Sequence, residues 1–191
     1  MSMITLRSAR QLVLLVLAGL TSCAVLAADD DKDKKRLENA LEWERAAENR
    51  ELAAYTQENQ AEDLLEQAQE LRKKAYLYDK EKKSNLNNAG DNEMKAGDLE
   101  GAASANLDKA AGNWEKVANE YKELGNEEKL KDAKAMVVSA RVNVLLASGR
   151  AAHAYELAAE AYDKDNADES AKAAVASEKA AAQREQLAGK K

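Results

Sequence analysis

The sequence predicts an all-α fold, an elongated up-and-down antiparallel bundle of three or four helices with alanine-rich seams. Two observations support this prediction. The chain has no Pro and 34% charged residues but only 4% aromatic residues, and alanine recurs at seven-residue intervals over long stretches. Residues that favour helices dominate, and large apolar side chains are few. The core is therefore expected to be thin and extended.

Near the N-terminus, basic residues precede an apolar segment. Arg7 and Arg10 come before an apolar run, Leu12 to Leu20, that is too short to span a bilayer. This order is typical of a bacterial export signal, so we assign residues 1–22 to a signal peptide. The rest of the chain is then expected to work outside the cytoplasm.

The end of this signal allows two interpretations. Leu20-Thr21-Ser22-Cys23 resembles the lipobox of bacterial lipoproteins, and the resemblance implies that Cys23 is acylated and becomes the mature N-terminus. Ala24 after it, rather than Asp, implies an outer membrane lipoprotein facing the periplasm. The alternative is cleavage after Ala27, which would give a soluble periplasmic or secreted protein.

A lipidated, charged spacer is predicted over residues 23–35, followed by a helical domain over 36–188. Its first helix should span about 34–83, because seven residues are nearly two helical turns and alanines at this spacing form one seam. The seam residues are Ala40, Ala47, Ala54, Ala61, Ala68 and Ala75. Glu44, Glu51 and Glu58 lie beside it. We expect them to pair with Lys or Arg of a neighbouring helix, the alternative being a basic partner.

Three further helices complete the predicted bundle. Residues 84–97, rich in Asn and Gly, are expected to break the chain before a second helix over about 98–124 that is capped by Asp98. Gly125 should end that helix as its C′ residue. A third helix over about 127–163 carries ten apolar positions at alternating spacings of three and four, and a fourth over about 167–187 follows a polar joint. The ten positions are Leu130, Ala133, Val137, Ala140, Val144, Ala147, Ala151, Ala154, Ala158 and Ala161.

Composition excludes several classes of function. The net charge of −6 falls to −8 once residues 1–22, with two Arg and no acids, are removed, and an acidic surface argues against nucleic acid as a partner. His153 is the sole His, and it is expected to lie on a helix surface. The sequence offers no catalytic set, metal site or cofactor motif, so we predict a protein that is not an enzyme.

Part of the chain resembles a tetratricopeptide repeat. Trp114, Val117 and Tyr121, followed by Gly125-Asn126, are similar to its first helix and turn. The resemblance implies a periplasmic adaptor whose concave face binds a protein partner through Trp114, Tyr121 and Tyr155. The spacings between Gly97, Gly125 and Gly149 are shorter than that repeat needs, and its closing Pro is absent.

A second resemblance is to the small murein lipoproteins. They combine a lipidated Cys and heptad alanines with a C-terminal Lys that attaches to peptidoglycan, and this chain ends in Lys190-Lys191. The resemblance implies a peptidoglycan tether through Lys191. A Lys at a helix end is also explained by the helix dipole.

The leading functional prediction is a non-catalytic envelope lipoprotein that acts as a structural or binding accessory through long helix faces. Its expected partners are the membrane, through the lipid on Cys23, and an envelope protein, with self-association as a further possibility. The adaptor and the peptidoglycan tether are the alternatives.

Overall fold

The computed structural model describes residues 31–162 and 167–189, and it contains four long helices in these ranges. They are α1 (Asp31–Leu77), α2 (Lys82–Glu123), α3 (Glu127–Ala161) and α4 (Ala167–Gly189). A short 3₁₀ turn, Asp79–Glu81, connects α1 to α2. No strand occurs in the described ranges, and the helices pack up-and-down, which confirms the predicted all-α bundle.

The first helix begins inside the predicted spacer. Because α1 starts at Asp31, it begins three residues before the predicted start near residue 34, and the last residues of the predicted spacer are helical. Asp31 and Asp33 lie in the first turn, where negative charge favours the positive end of the helix dipole. The remainder of the predicted spacer, residues 23–30, lies outside the described residues, as does the predicted signal peptide.

The alanine seam of α1 is buried throughout. Its six alanines are at most 2% exposed, and the helix of 47 residues is about 70 Å long. Burying one methyl group contributes only about 0.8 kcal/mol. The stability of this bundle therefore depends on many small contacts along long helices, together with high helix propensity.

The predicted break at residues 84–97 is wrong, because α2 runs from Lys82 to Glu123 without interruption. Two glycines of this segment lie where α3 approaches closely. A Cβ on Gly90 would lie 2.9 Å from the ring of Tyr162, and one on Gly97 would lie 2.5 Å from the ring of Tyr155. These glycines make room for aromatic rings and do not form a turn. The first helix ends at Leu77 instead of near residue 83.

The helices α2 and α3 pair antiparallel in a heptad register. Moving seven residues along both helices leads from Gly90 and Tyr162 to Gly97 and Tyr155, and then to a pair of serines. Ser104 and Ser148 are buried, and their Oγ atoms lie 2.7 Å apart in a hydrogen bond. The interface thus repeats a small residue on α2 at each step.

Alanines from three helices meet in successive core layers. Ala54, Ala103 and Ala147 belong to one cluster, and Ala61, Ala96 and Ala154 belong to the next. Within each helix the two members are seven residues apart, so the layers follow the heptad register of all three helices. This register continues across residues 84–97 and accounts for the unbroken α2.

The turn from α2 to α3 is as predicted. Gly125 has a φ of 66°, and the N–H groups of Gly125 and Asn126 donate to the carbonyls of Lys122 and Tyr121 at 3.1 and 3.0 Å. This pair of bonds is a Schellman motif, which needs a residue with positive φ at C′. The Asn126 side chain then accepts the N–H of Lys129 and caps α3.

The third helix buries nine of its ten predicted seam residues, and Val137 is half-buried. Its end at Ala161 and the start of α4 at Ala167 agree closely with the predicted bounds. On α4, Ala173, Ala176 and Ala180 are buried against Met94, Tyr155 and Tyr162. The last helix therefore has a defined packing face, which its alanine-rich sequence had left unspecified.

Candidate functional site

The acidic stripe of α1 is used inside the bundle. The carboxylate of Glu44 accepts the hydroxyl of Tyr121 at 3.2 Å, and that of Glu51 accepts the indole N–H of Trp114 at 2.9 Å. Glu58 pairs with Arg150. Among the described residues, the predicted pairing with Lys or Arg of a neighbouring helix is confirmed for Glu58, whereas Glu44 and Glu51 accept from aromatic donors of a neighbouring helix.

A buried charge pair connects α1, α2 and α3. The guanidinium of Arg72 donates to both carboxylate oxygens of Glu93, at 2.8 and 2.9 Å, and to the Leu157 carbonyl at 2.8 Å. Glu93 is only 2% exposed. The hydrogen bond to Glu93 is the main reason why the pKa of Arg72 is raised, and it gives the buried Glu93 carboxylate a charged partner.

Arg150 on α3 forms a second polar junction. It donates to Glu100 on α2 at 2.8 Å and to Glu58 on α1. Burial by itself would lower the pKa of Arg150, but hydrogen bonds and attraction from Glu100 and Glu58 outweigh burial and raise it. Like the pair of Arg72, this junction fixes the register of three helices.

The aromatic residues predicted to bind a partner lie in the core. Trp114, Tyr121 and Tyr155 are 4%, 3% and 4% exposed, and the hydroxyl of Tyr155 donates to Asp98 at 2.7 Å. Their burial does not agree with a concave binding face made of these side chains. Gly97 and Gly149 also lie inside helices, so only Gly125 supplies a turn of the kind that the repeat resemblance implies.

Of the remaining predicted site residues, the structure describes His153 alone. Cys23 and Lys191 lie outside the described residues, and His153 is exposed on α3. In the described part of the chain, no group of three or more His, Cys, Asp or Glu side chains is arranged to bind a metal ion. Within the same ranges, no helix combines the length and hydropathy needed to cross a bilayer.

An apolar surface that sequence reasoning missed lies on the outer side of α3. Val138, Val142 and Leu146 are 62%, 49% and 50% exposed, and we call these three residues the α3 stripe. Their spacing of four residues places them side by side on the helix. The sequence does hold this signal, because large aliphatic residues occur here in addition to those of the buried seam.

The α3 stripe borders a groove between α2 and α3. The groove has a volume of about 420 Å³ and is lined by Asp108 from α2 and by five residues of α3. These five are Val138, Arg141, Val142, Val144 and Leu145. An ion pair between Arg141 and Glu115 joins the two helices beside it. Large apolar side chains thus stand next to an open depression on the surface.

The groove continues the surface that α4 covers. Gly101, which lies near Gln183 of α4, is seven residues before Asp108 and shares its face of α2. Tyr155, which packs against Ala180 of α4, is fourteen residues after Arg141 and shares its face of α3. The arrangement is therefore suited to a second helix lying in the groove beyond α4.

No protein-family profile, curated protein or solved structure matches this chain.

Proposed function

We propose that this chain is a non-catalytic structural lipoprotein of the cell envelope, held at the membrane through Cys23, whose bundles pair through the α3 stripe. The observation that carries the proposal is the exposure of Val138, Val142 and Leu146 on a helix whose buried face consists mainly of alanine. Exposed apolar patches of this kind mark interaction surfaces. The buried carboxylates of Glu93 and Glu100 are paired with Arg72 and Arg150 within the bundle, which suits a scaffold.

The spacing of residues along α3 favours a second copy as the occupant. Val138 and Leu146 lie four residues before and after Val142, and the small residues Ala135 and Gly149 lie seven residues before and after it. An antiparallel α3 from a second copy would put Val142 on the two-fold axis. It would also put Val138 opposite Leu146, and Ala135 opposite Gly149. A surface that matches itself in this way fits an isologous dimer.

Small residues on either side of the α3 stripe permit close approach of a second α3 helix. Ala135 is exposed, and a Cβ on Gly149 would meet no atom within 4 Å. Helices that meet at small residues pack at the short end of the 8–10 Å range of interaxial distances. Two α3 helices can thus approach closely at both ends while Val142 and its neighbours fill the centre.

Intact mass of the mature chain extracted from cell envelopes tests the anchor. We expect a species that begins at Cys23 with added acyl mass, and we expect Cys23→Ala to lose both the acyl groups and membrane retention. A soluble species beginning at Ala28 would contradict the lipid anchor. That result would not bear on whether two bundles pair through the α3 stripe, which a second experiment tests.

Disulfide trapping tests the pairing in the full chain. Under mild oxidation we expect Val142→Cys to give a cross-linked dimer, because the two-fold axis brings this position next to itself. Val138→Cys and Leu146→Cys should cross-link when mixed more efficiently than either does alone. Leu52→Cys on α1, which replaces a side chain of similar exposure at 54%, is the matched control, and the unchanged chain reports any contribution of Cys23.

Two outcomes would contradict the pairing. The first is a yield at Val142→Cys no higher than at Leu52→Cys. The second is a preference of Val138→Cys for itself over Leu146→Cys, which would show that the helices do not meet with Val142 on the axis. Cross-linking of Val142→Cys only to a different protein would replace the second copy by another partner.

A further inference from the structure

The connection between α1 and α2 exposes large side chains at one end of the bundle. Tyr76, Leu77 and Tyr78 are 92%, 74% and 59% exposed, and they are consecutive in the sequence. They stand where α1 ends and the 3₁₀ turn begins. We call residues 73–83 the tip segment. Burial in the core does not explain its apolar residues, since all three face solvent.

The tip segment is basic although the whole chain is acidic. It holds five Lys and two acidic residues, which leaves +3, whereas the whole chain carries −6. The five lysines, all exposed, are Lys73, Lys74, Lys80, Lys82 and Lys83. Positive charge is thus concentrated around the exposed Tyr76, Leu77 and Tyr78.

We infer that the tip segment docks on the surface of an anionic lipid membrane. Tyrosine has an apolar ring and a polar hydroxyl, and it prefers the level of the lipid headgroups, where Leu77 could enter the acyl boundary. Lysine keeps its ammonium group in water while its stem lies along apolar surface. The net charge of +3 complements anionic headgroups, whereas an uncharged surface would attract only the apolar residues.

This contact is separate from the proposed lipid anchor. Arg36 and Leu77 lie on the same helix, and at 1.5 Å per residue they are about 60 Å apart. The tip segment is therefore distant from the N-terminal part of the bundle core, where Arg36 pairs with Glu120. The two membrane contacts can consequently be removed one at a time, and failure of one does not imply failure of the other.

Binding to vesicles tests the inference with the mature chain as cells produce it. If that chain carries acyl groups, it is first inserted into nanodiscs of zwitterionic phosphatidylcholine, so that the tip segment remains available. Sedimentation is then measured with sucrose-loaded vesicles of pure phosphatidylcholine and with vesicles that also contain phosphatidylglycerol. We expect binding only to the anionic vesicles, weakening as salt is added.

Variants of the tip segment separate charge from apolar contact. One lysine near an anionic surface changes partitioning about fivefold, so Lys74→Gln with Lys82→Gln should lower binding about 25-fold. Tyr76→Ser with Tyr78→Ser should lower it about tenfold. The matched control is Lys131→Gln with Lys134→Gln on α3, which removes the same charge from exposed positions and should change binding less than about twofold.

Several results would overturn the inference. The first is equal binding to both vesicle types, and the second is no binding to either. The third is a loss of vesicle binding in the α3 control that equals the loss in the tip variants. Retention of the chain by purified peptidoglycan sacculi, lost in the tip variants and without vesicle binding, would assign this surface to the cell wall. A thermal melt of each variant, followed by circular dichroism, shows that the bundle itself is intact.

Discussion

The two faces of α3 reverse the usual distribution of side chains. The inner face is mostly alanine, and its layers with α1 and α2 are nearly inaccessible. The outer face holds Val138, Val142 and Leu146, each about half exposed or more. Large apolar residues on the outside cost solubility, while small ones on the inside contribute little burial. The comparison indicates that the inner face sets the register and the outer face is available for contacts beyond the chain.

The largest expected effect comes from charging the inner face. Ala140→Glu places a carboxylate at a position that is 1% exposed, and we expect it to lower the free energy of unfolding by at least about 3 kcal/mol. Ala53→Glu is the matched control, since Ala53 is exposed on α1 and lies outside the α3 stripe and its flanking residues; it should change stability by less than about 0.5 kcal/mol. Similar denaturant midpoints for the two variants would show that the alanine face of α3 is not tightly packed against α1 and α2.

Breaking the core charge pair should be nearly as costly. Arg72→Met leaves the carboxylate of Glu93 buried without its guanidinium partner, so we expect a loss of about 3 kcal/mol in urea unfolding. Adding Glu93→Leu should recover most of this loss. Lys73→Met, which removes an exposed pair with Glu70, should cost less than about 1 kcal/mol. If Arg72→Met alone were as stable to urea as the variant that also carries Glu93→Leu, Glu93 would not depend on Arg72 as its partner in the core.

The close approach of α2 and α3 predicts opposite signs for two similar substitutions. In Gly97→Ala the new methyl group would meet the Tyr155 ring at 2.5 Å, so overpacking should destabilise the bundle by about 1–3 kcal/mol. Gly112→Ala, inside α2, places its new methyl group where no atom lies within 4 Å. It should therefore stabilise the bundle by about 0.5–1 kcal/mol through helix propensity. Stabilisation by both substitutions would contradict the packing of α2 on α3.

The smallest effect is confined to alkaline pH. Burial, followed by neighbouring carboxylates, raises the pKa of Tyr121, Tyr155 and Tyr162 well above the ordinary value of 10.0. In the unfolded chain these hydroxyls lose their protons near pH 10 while the folded chain keeps them, so stability should fall as the pH rises above 10. Melts at rising pH measure this slope. Tyr155→Phe should reduce the slope, and an unchanged slope would contradict the burial of Tyr155.

The sequence predicted most of the helices because alanine at a seven-residue spacing is a strong signal. It misplaced the start of α2 because Asn and Gly favour turns locally, whereas the alanine series from Ala89 through Ala96 and Ala103 continues across them. That competition is decided by tertiary contact, here by Tyr155 and Tyr162 against Gly97 and Gly90. A single sequence does not show which residues approach each other across helices.

The candidate surfaces were harder to predict for a related reason. The resemblance to a tetratricopeptide repeat implied that Trp114, Tyr121 and Tyr155 bind a partner, yet these side chains are buried and donate to Glu51, Glu44 and Asp98 of the same chain. The sequence shows the large aliphatic residues of the α3 stripe beside the predicted seam, but it does not show that no other helix covers them. Exposure, unlike periodicity, depends on where every neighbouring helix lies.

The most direct test of pairing through α3 is the molar mass of the mature chain in solution, measured by light scattering at several concentrations. Any lipid anchor is kept in detergent, and its contribution is subtracted. We expect the unchanged chain to approach twice the protein mass of the Val142→Glu variant, with both giving the same thermal melt. Equal masses for the two chains, at concentrations where each is folded, would contradict a role for the outer face of α3 in assembly.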